Sequence, residues 1–212
     1  MPIKSSFLPN TYLLLSIARN SLARAPSDTQ ESLVAIMFSC AALESFINES
    51  YEPIRYLRRE DTLPGLIEYA TMMQELVSSR EQLKCKYHKA LLHFSGTSQH
   101  KGAQPYQDFK ILVDIRNSVL HNKPDTFTVK FNANEPPPQK QIGDHPKFIR
   151  QLKVNNVIER VDFHCNWIDL VITEKVAQWA FTTANKMIDT FISIVPPGKF
   201  CDDLRRIASN AG

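Results

Sequence analysis

Residues 109–122 read FKILVDIRNSVLHN and predict an amphipathic helix. At about 100° per residue, the apolar side chains on one side of this helix are Phe109, Leu112, Val113, Val119 and Leu120. Arg116 projects into the middle of that side. Because a guanidinium stays charged in a protein, and a buried charge must be paired or serve a purpose, Arg116 predicts an ion pair or a functional cation. Asn117 and His121, one turn apart, lie together on the flank of the apolar side.

A second helix, predicted at about residues 29–51, carries an acidic counterpart. Asp28 precedes it as a predicted N-cap, with Glu31 three residues later in the arrangement of a capping box. Its apolar stripe consists of Leu33, Ile36, Met37, Cys40, Leu43 and Ile47. Glu44 falls inside this stripe. An acid on the apolar side of one helix and Arg116 on that of another predict a buried ion pair between the two.

The rest of the chain is mostly helical in pattern. Helical periodicity occurs in residues 9–23, 66–77, 80–94 and 173–195, the last with Thr173 as its N-cap, and a helical turn is predicted around residues 204–207. We therefore predict a mainly α protein, an antiparallel helical bundle that forms a single domain of residues 1–212.

The pattern changes between residue 123 and residue 172. Residues 126–131 alternate like a strand, and residues 134–146 contain four prolines and predict a loop. Residues 148–172 contain the β-branched alternation that predicts one or two further strands. The sequence therefore predicts a small β-containing insertion before the last long helix.

The bulk composition restricts the classes of function. With 212 residues, of which 43% are hydrophobic and 22% charged, the chain is typical of a soluble globular protein. A net charge of +3 permits a nucleic-acid partner without arguing for one. The scattered cysteines (Cys40, Cys85, Cys165 and Cys201) include no CxxC pair and fit a reducing, cytoplasmic setting better than a disulfide framework.

Several common sites are not predicted. No apolar run approaches the ~20 residues that span a bilayer, and the apolar residues 12–18 are interpreted as part of the first helix. The chain contains no glycine-rich phosphate loop, no GxSxG motif and no HExxH motif. We expect no membrane segment, no cofactor and no metal centre.

The segment from Arg116 to His121, RNSVLH, fits the Arg-x4-His pattern of the HEPN superfamily, in its common form with asparagine after the arginine. The upstream segment AALESFIN, residues 41–48, resembles the second-helix motif of that superfamily. The resemblance covers about residues 9–122 and the final long helix. Residues 123–172 have no counterpart. An Arg-x4-His pattern is common by chance, so its position on the expected helix makes it more specific.

The resemblance implies both a fold and an activity. HEPN proteins are helical bundles that usually dimerise, and many are metal-independent endoribonucleases in toxin–antitoxin or anti-phage defence systems. It implies that Arg116 and His121 form the catalytic pair, with Asn117 and Glu44 in supporting roles. The implied partners are RNA, a second copy of the chain and an antitoxin protein, and the implied location is the cytoplasm. Toxins silenced by nucleotidylation carry a tyrosine two residues after the histidine, where this chain has Lys123.

The chemistry of such a site is consistent with these residue types. Cleavage of RNA without a metal uses the 2′-hydroxyl as the nucleophile, and histidine serves as general acid or base because it titrates near neutral pH. The guanidinium holds the phosphate and stabilises the charge that develops on it. Arg116 and His121 are five positions apart, or about 140° around a helix, so the two side chains do not share a face.

Non-catalytic interpretations remain open. Glu44 and Arg116 form a purely structural ion pair in one of them, and His121 serves only as a helix C-cap. In another, the chain is a non-catalytic HEPN-like module that binds RNA, a nucleotide or a protein, or a helical interaction module whose insertion binds a partner. Residues 84–101, rich in lysine and histidine, form either a surface for RNA or the solvated face of a helix. Cys85 and His88 have the spacing of two metal ligands, without a second pair.

Overall fold

The computed structural model describes residues 9–57, 63, 65–121, 145–159 and 166–209. This part of the chain contains nine α-helices and two short 3₁₀ turns, at Glu52–Tyr56 and Gln99–Gly102. The helices are α1 (Thr11–Arg24), α2 (Thr29–Glu49), α3 (Leu66–Ser78), α4 (Leu83–Ser95), α5 (Tyr106–Leu120), α6 (Lys147–Val154), α7 (Trp167–Val171), α8 (Glu174–Ile194) and α9 (Lys199–Ser209). The prediction of a mainly helical bundle is confirmed.

Helix α2 is the centre of the bundle. It packs most extensively against α1 and α8, and it also contacts α4, α5 and α9. An aromatic cluster fills the core beside its C-terminal half: the rings of Phe46 and Phe191 lie 5.7 Å apart between centroids, and those of Tyr69 and Phe94 lie 4.8 Å apart. The Tyr69 hydroxyl is 2.5 Å from Ser50 Oγ, so the one polar group of this cluster is hydrogen-bonded. Burial raises the pKa of Tyr69.

Local capping signals predicted two of the helix starts. The Asp28 carboxylate accepts a hydrogen bond from the backbone N–H of Gln30 at 2.9 Å, and Thr173 Oγ1 accepts one from that of Val176 at 3.3 Å. The second half of the predicted capping box does not form, because Glu31 binds the guanidinium of Arg24 instead, through two hydrogen bonds of 2.9 Å.

The predicted strands of residues 148–172 are wrong wherever the structure describes this segment. Residues 147–154 and 167–171 are the helices α6 and α7. The apolar residues that decide α6 are Phe148, Ile149 and Leu152, which recur at helical spacing and are all buried. Asn156 takes a left-handed backbone, with φ of 56°, two residues after α6 ends. The predicted strand at 126–131 and most of the predicted loop at 134–146 lie outside the described residues.

One apolar stretch in the described part, Thr29–Tyr56, meets the length and hydropathy expected of a helix that crosses a membrane. Half of its most apolar window is buried inside the protein. A core helix of a water-soluble bundle has the same composition, and the packing of α2 against α1 and α8 supplies protein partners for these side chains.

The segment 84–101 mostly serves to hold α4 in place. The ammonium of Lys86, a buried residue, donates to Asn48 Oδ1 on α2 at 2.8 Å, and that of Lys84 lies 2.5 Å from Asp114 on α5. His88 Nδ1 lies 2.9 Å from His100 Nε2, which joins α4 to the second 3₁₀ turn. Two of the four lysines and two of the three histidines in this stretch are therefore engaged with neighbouring elements.

A buried carboxylate joins the end of α2 to the start of α1. Glu49, only 8% exposed, accepts hydrogen bonds from the Asn10 N–H at 2.8 Å, from the Thr11 hydroxyl at 2.7 Å and N–H at 3.4 Å, and from the Ser45 hydroxyl at 2.7 Å. The first N–H groups of an α-helix have no partner within the helix, and a negative charge at this end is favourable. Glu49 therefore acts as a cap for α1 from another helix.

Replacing Glu49 with alanine is expected to lower the free energy of unfolding by about 3 kcal/mol, because it leaves buried donors at the start of α1 without an acceptor. Urea denaturation followed by circular dichroism measures this loss. Glu75→Ala, at an exposed position of α3, is the matched control and is expected to change stability by less than about 0.5 kcal/mol. Equal losses in the two variants would contradict the capping role.

The histidine pair makes the stability of the protein dependent on pH. Burial lowers the pKa of both His88 and His100, and the nearby Lys101 lowers them further. A histidine whose pKa falls on folding stabilises the protein fully above its unfolded value, near 6.5, and this contribution is lost as the pH falls through the folded value. We expect the free energy of unfolding to decrease as the pH falls from about 7.5 to 5.

Substituting both rings, in His88→Gln with His100→Gln, is expected to make this pH dependence shallower. Denaturation curves at closely spaced pH values measure it. The control is Gln99→Ala, an exposed position of the same 3₁₀ turn, which should keep the slope of the unchanged protein. An unaltered slope in the double variant would show that other groups cause the acid sensitivity.

Candidate functional site

The predicted contact between Arg116 and Glu44 forms, but the pair is not buried. Arg116 Nη2 on α5 lies 2.9 Å from Glu44 Oε2 on α2, and Arg116 Nη1 donates to Asn117 Oδ1 at 3.0 Å. The side chains retain 31% and 38% of their exposure, respectively. The expectation of a buried ion pair is therefore corrected: the guanidinium is held in place while part of it faces solvent.

The exposure of Arg116 follows from its position along α5. The apolar side of α5 is buried along most of the helix, with Phe109, Leu112 and Val113 in the core as predicted. This side leaves the core in the last turn, where Val119 is only partly buried and Leu120 is 53% exposed. Arg116 lies on the correct side of the helix, but at the level where that side meets solvent.

A dry wall lies on the α2 side of the ion pair. Cys40, one turn before Glu44, is completely buried. Burial raises the pKa of its thiol to about 12, and the neighbouring charge of Arg116 opposes this only in part. The thiol is therefore neutral at physiological pH and behaves as the small buried hydrophobe that the sequence predicted. The ion pair has water on one side and an apolar surface on the other.

His121 is the C-cap residue of α5 and is exposed. Its backbone N–H donates to the Asn117 carbonyl at 2.9 Å, which ends the helix one residue before the predicted Asn122. Among the described residues, no hydrogen bond joins the imidazole to Glu44, Arg116 or Asn117. The 140° offset between Arg116 and His121 thus persists, with an axial separation of about 7.5 Å.

Asn117 lies between the two charged groups. Its Oδ1 accepts the hydrogen bond from Arg116, and the residue also lines a cavity of about 520 Å³ together with His121. The cavity lies between α4, α5 and α6, and neither Arg116 nor Glu44 lines it. The four predicted residues thus form one continuous polar surface around the end of α5, with the ion pair on one side of Asn117 and the imidazole on the other.

This arrangement can bind an anion. A guanidinium carries five N–H donors, and two of those of Arg116 are used in its hydrogen bonds to Glu44 and Asn117. The remaining three are available to a phosphate oxygen, which prefers the fork geometry of arginine. The exposed imidazole of His121 is an acid or base that substrate can reach directly.

The sequence analysis did not assign the other polar residues of the cavity to the site. Besides Asn117 and His121, α5 contributes Gln107, Lys110, Asp114 and Ser118, while α6 contributes Lys147 and Gln151. The α5 residues recur three or four positions apart, which places them on one face of the helix. That polar stripe was visible in the sequence. The contribution of α6 was not, because it depends on how the chain returns to α5.

Within the described residues, no group of three or more His, Cys, Asp or Glu side chains is arranged to hold a metal ion. Comparisons of the chain with protein-family models, with curated proteins and with solved structures gave no match. The assignment of a function therefore depends on the residues of the site and on their geometry.

Proposed function

We propose that this protein is a metal-independent endoribonuclease of the HEPN type, in which Arg116 holds the scissile phosphate and His121 is the general acid or base. One observation carries the proposal. The cation and the imidazole of the Arg-x4-His motif both reach solvent at the same end of α5, on the two sides of Asn117.

The reaction that fits these groups is transfer of the phosphoryl group to the 2′-hydroxyl. A base removes the 2′-hydroxyl proton, the O2′–P bond forms, and the P–O5′ bond breaks. The products are a 2′,3′-cyclic phosphate and a chain with a 5′-hydroxyl, whose oxygen takes a proton from an acid. Arg116 stabilises the charge on the non-bridging oxygens.

Two proton transfers require two groups or one group that acts twice. In a two-fold homodimer, each active site holds a pair of such motifs, so one His121 acts as the base and His121 of the partner subunit acts as the acid. Glu44 and Asn117 are positioning residues, since each fixes one nitrogen of the Arg116 guanidinium. We place the protein in a toxin or anti-phage system of the cytoplasm, with an antitoxin protein as its partner.

A second function is favoured by one specific contact. The 2.9 Å ion pair joins residues 72 positions apart in sequence, which is what a structural link between α2 and α5 requires. In this alternative the protein is a non-catalytic HEPN-like module that binds RNA, a nucleotide or a protein. Arg116 then serves the fold, and the exposed His121 has no role in chemistry.

The nuclease proposal predicts cleavage of single-stranded RNA that continues in EDTA and is lost in the site variants. Arg116→Ala and His121→Ala are each expected to lower kcat/KM by at least about 100-fold, because each removes a group that acts in the transition state. Cleavage of a labelled RNA, with products identified as cyclic phosphates, measures this. Lys186→Ala, at an exposed position of α8, is the control. Activity that requires a metal, or that survives His121→Ala, would overturn the proposal.

The two functions differ in the expected stability of Arg116 variants. Because the ion pair is partly exposed, the coupling between Glu44→Ala and Arg116→Ala in a double-mutant cycle is expected to be less than about 1 kcal/mol. Urea denaturation of the four proteins measures it. A coupling of several kcal/mol, with Arg116→Ala largely unfolded, would identify the pair as structural and favour the non-catalytic module.

A further inference from the structure

The cavity beside His121 has the size of a binding site for a nucleotide. Its volume of about 520 Å³ lies within the range of about 300–1,000 Å³ of typical ligand pockets. Helix α5 forms its floor, Lys84 on α4 stands on one side, and the N-terminal half of α6 stands on the other. All of these elements belong to the described part of the chain.

The cavity carries an excess of positive charge. Three lysines line it, Lys84, Lys110 and Lys147, and the one acid is Asp114. Asp114 lies 2.5 Å from Lys84, so these two charges compensate each other. Among the described residues, no carboxylate lies within ion-pair distance of Lys110 or Lys147. Two ammonium groups are thus available to an anion on the same surface as His121.

Two other cavities of similar size do not share this feature. The cavity of about 570 Å³ beside Trp179 is lined by two acids, Asp108 and Asp189, and by one base, Lys186. In the cavity of about 560 Å³ between α1, α8 and α9, Asp189 faces two arginines, one of which, Arg205, is paired with Asp202 at 2.9 Å. Of the three, only the cavity beside His121 combines two uncompensated lysines with a residue of the Arg-x4-His motif.

The remaining polar lining suits a base and a sugar. Gln107, Asn117 and Gln151 each present an amide, which both donates and accepts hydrogen bonds and so matches the edge of a nucleobase. Asn117 uses its oxygen for Arg116, so its NH₂ group remains. Gln107 uses its NH₂ group for the Lys101 carbonyl, so its oxygen remains. Donors and acceptors are thus both available along the floor.

We propose that this cavity binds the nucleotide next to the scissile phosphate of a single-stranded RNA, with Lys110 and Lys147 holding its phosphate. This inference rests on the nuclease function proposed above, because that function places the scissile phosphate between Arg116 and His121. A chain that crosses the end of α5 there continues past Asn117 into the cavity. Helix α6, which belongs to the segment without a counterpart in the resembling superfamily, thereby becomes part of the substrate site.

The test measures RNA binding separately from cleavage. Full-length protein carrying His121→Ala is titrated into a fluorescein-labelled 12-nucleotide single-stranded RNA at several KCl concentrations, and anisotropy gives Kd. Adding Lys110→Gln and Lys147→Gln is expected to weaken binding at least about 10-fold at low salt. It should also reduce the slope of log K against log[KCl] by about 1.4, because each lost phosphate contact on a single strand removes about 0.7.

The matched control adds Lys89→Gln and Lys153→Gln to the same His121→Ala protein. These lysines are exposed on α4 and α6 and do not line the cavity, so the net charge changes equally. We expect less than a 2-fold change in Kd. Equal weakening in the two double variants would overturn the cavity as the binding site, and circular dichroism verifies that both proteins fold.

The outcomes for the cavity and for the nuclease are distinguishable. Cleavage by the unchanged protein together with unaltered binding in the Lys110 and Lys147 variant would refute the cavity alone. Loss of RNA binding in that variant, without cleavage by the unchanged protein, would refute the nuclease and leave an RNA-binding cavity. A polyglutamate peptide that displaces the RNA at equal charge concentration would refute RNA and identify an acidic protein segment as the ligand class.

Discussion

The packing of α2 against α1 and α8 sets the environment of every charged group that matters in this protein. Two glutamates on α2, only five residues apart, show its effect. Glu49 faces the start of α1 inside the bundle and is held by four hydrogen bonds without a cation. Glu44 lies where α2 meets α5 near the surface and binds Arg116. One glutamate fixes the fold, and the other positions a cation that reaches solvent.

The partial exposure of the ion pair is what makes a catalytic role physically reasonable. A fully buried pair costs several kcal/mol to separate, because each ion loses its only compensation. A pair at the surface is worth less than about 1 kcal/mol, so a phosphate can share the guanidinium with Glu44 without disturbing the fold. The dry side formed by Cys40 strengthens the attraction on that face, since water is excluded there.

The cavity extends this surface from the motif to a segment that the sequence did not connect with it. Helix α6 buries Phe148, Ile149 and Leu152 and in doing so brings Lys147 and Gln151 opposite the polar stripe of α5. The same helix therefore completes the core and supplies part of the positive surface. Basic groups on α4, α5 and α6 converge although the chain as a whole is only mildly basic, at +3.

The features that were predictable from the sequence are those that depend on near neighbours in the chain. Helical periodicity, the caps at Asp28 and Thr173, and the pairing of Glu44 with Arg116 follow from residue spacing and from the cost of an uncompensated charge. The strands expected after residue 148 were wrong, because burial against α5 selects a helix over the β preference of its residues. The exposure of Arg116, the capping by Glu49 and the cavity were decided only by tertiary packing, which sets how far each helix extends beyond the core and which distant side chains meet there.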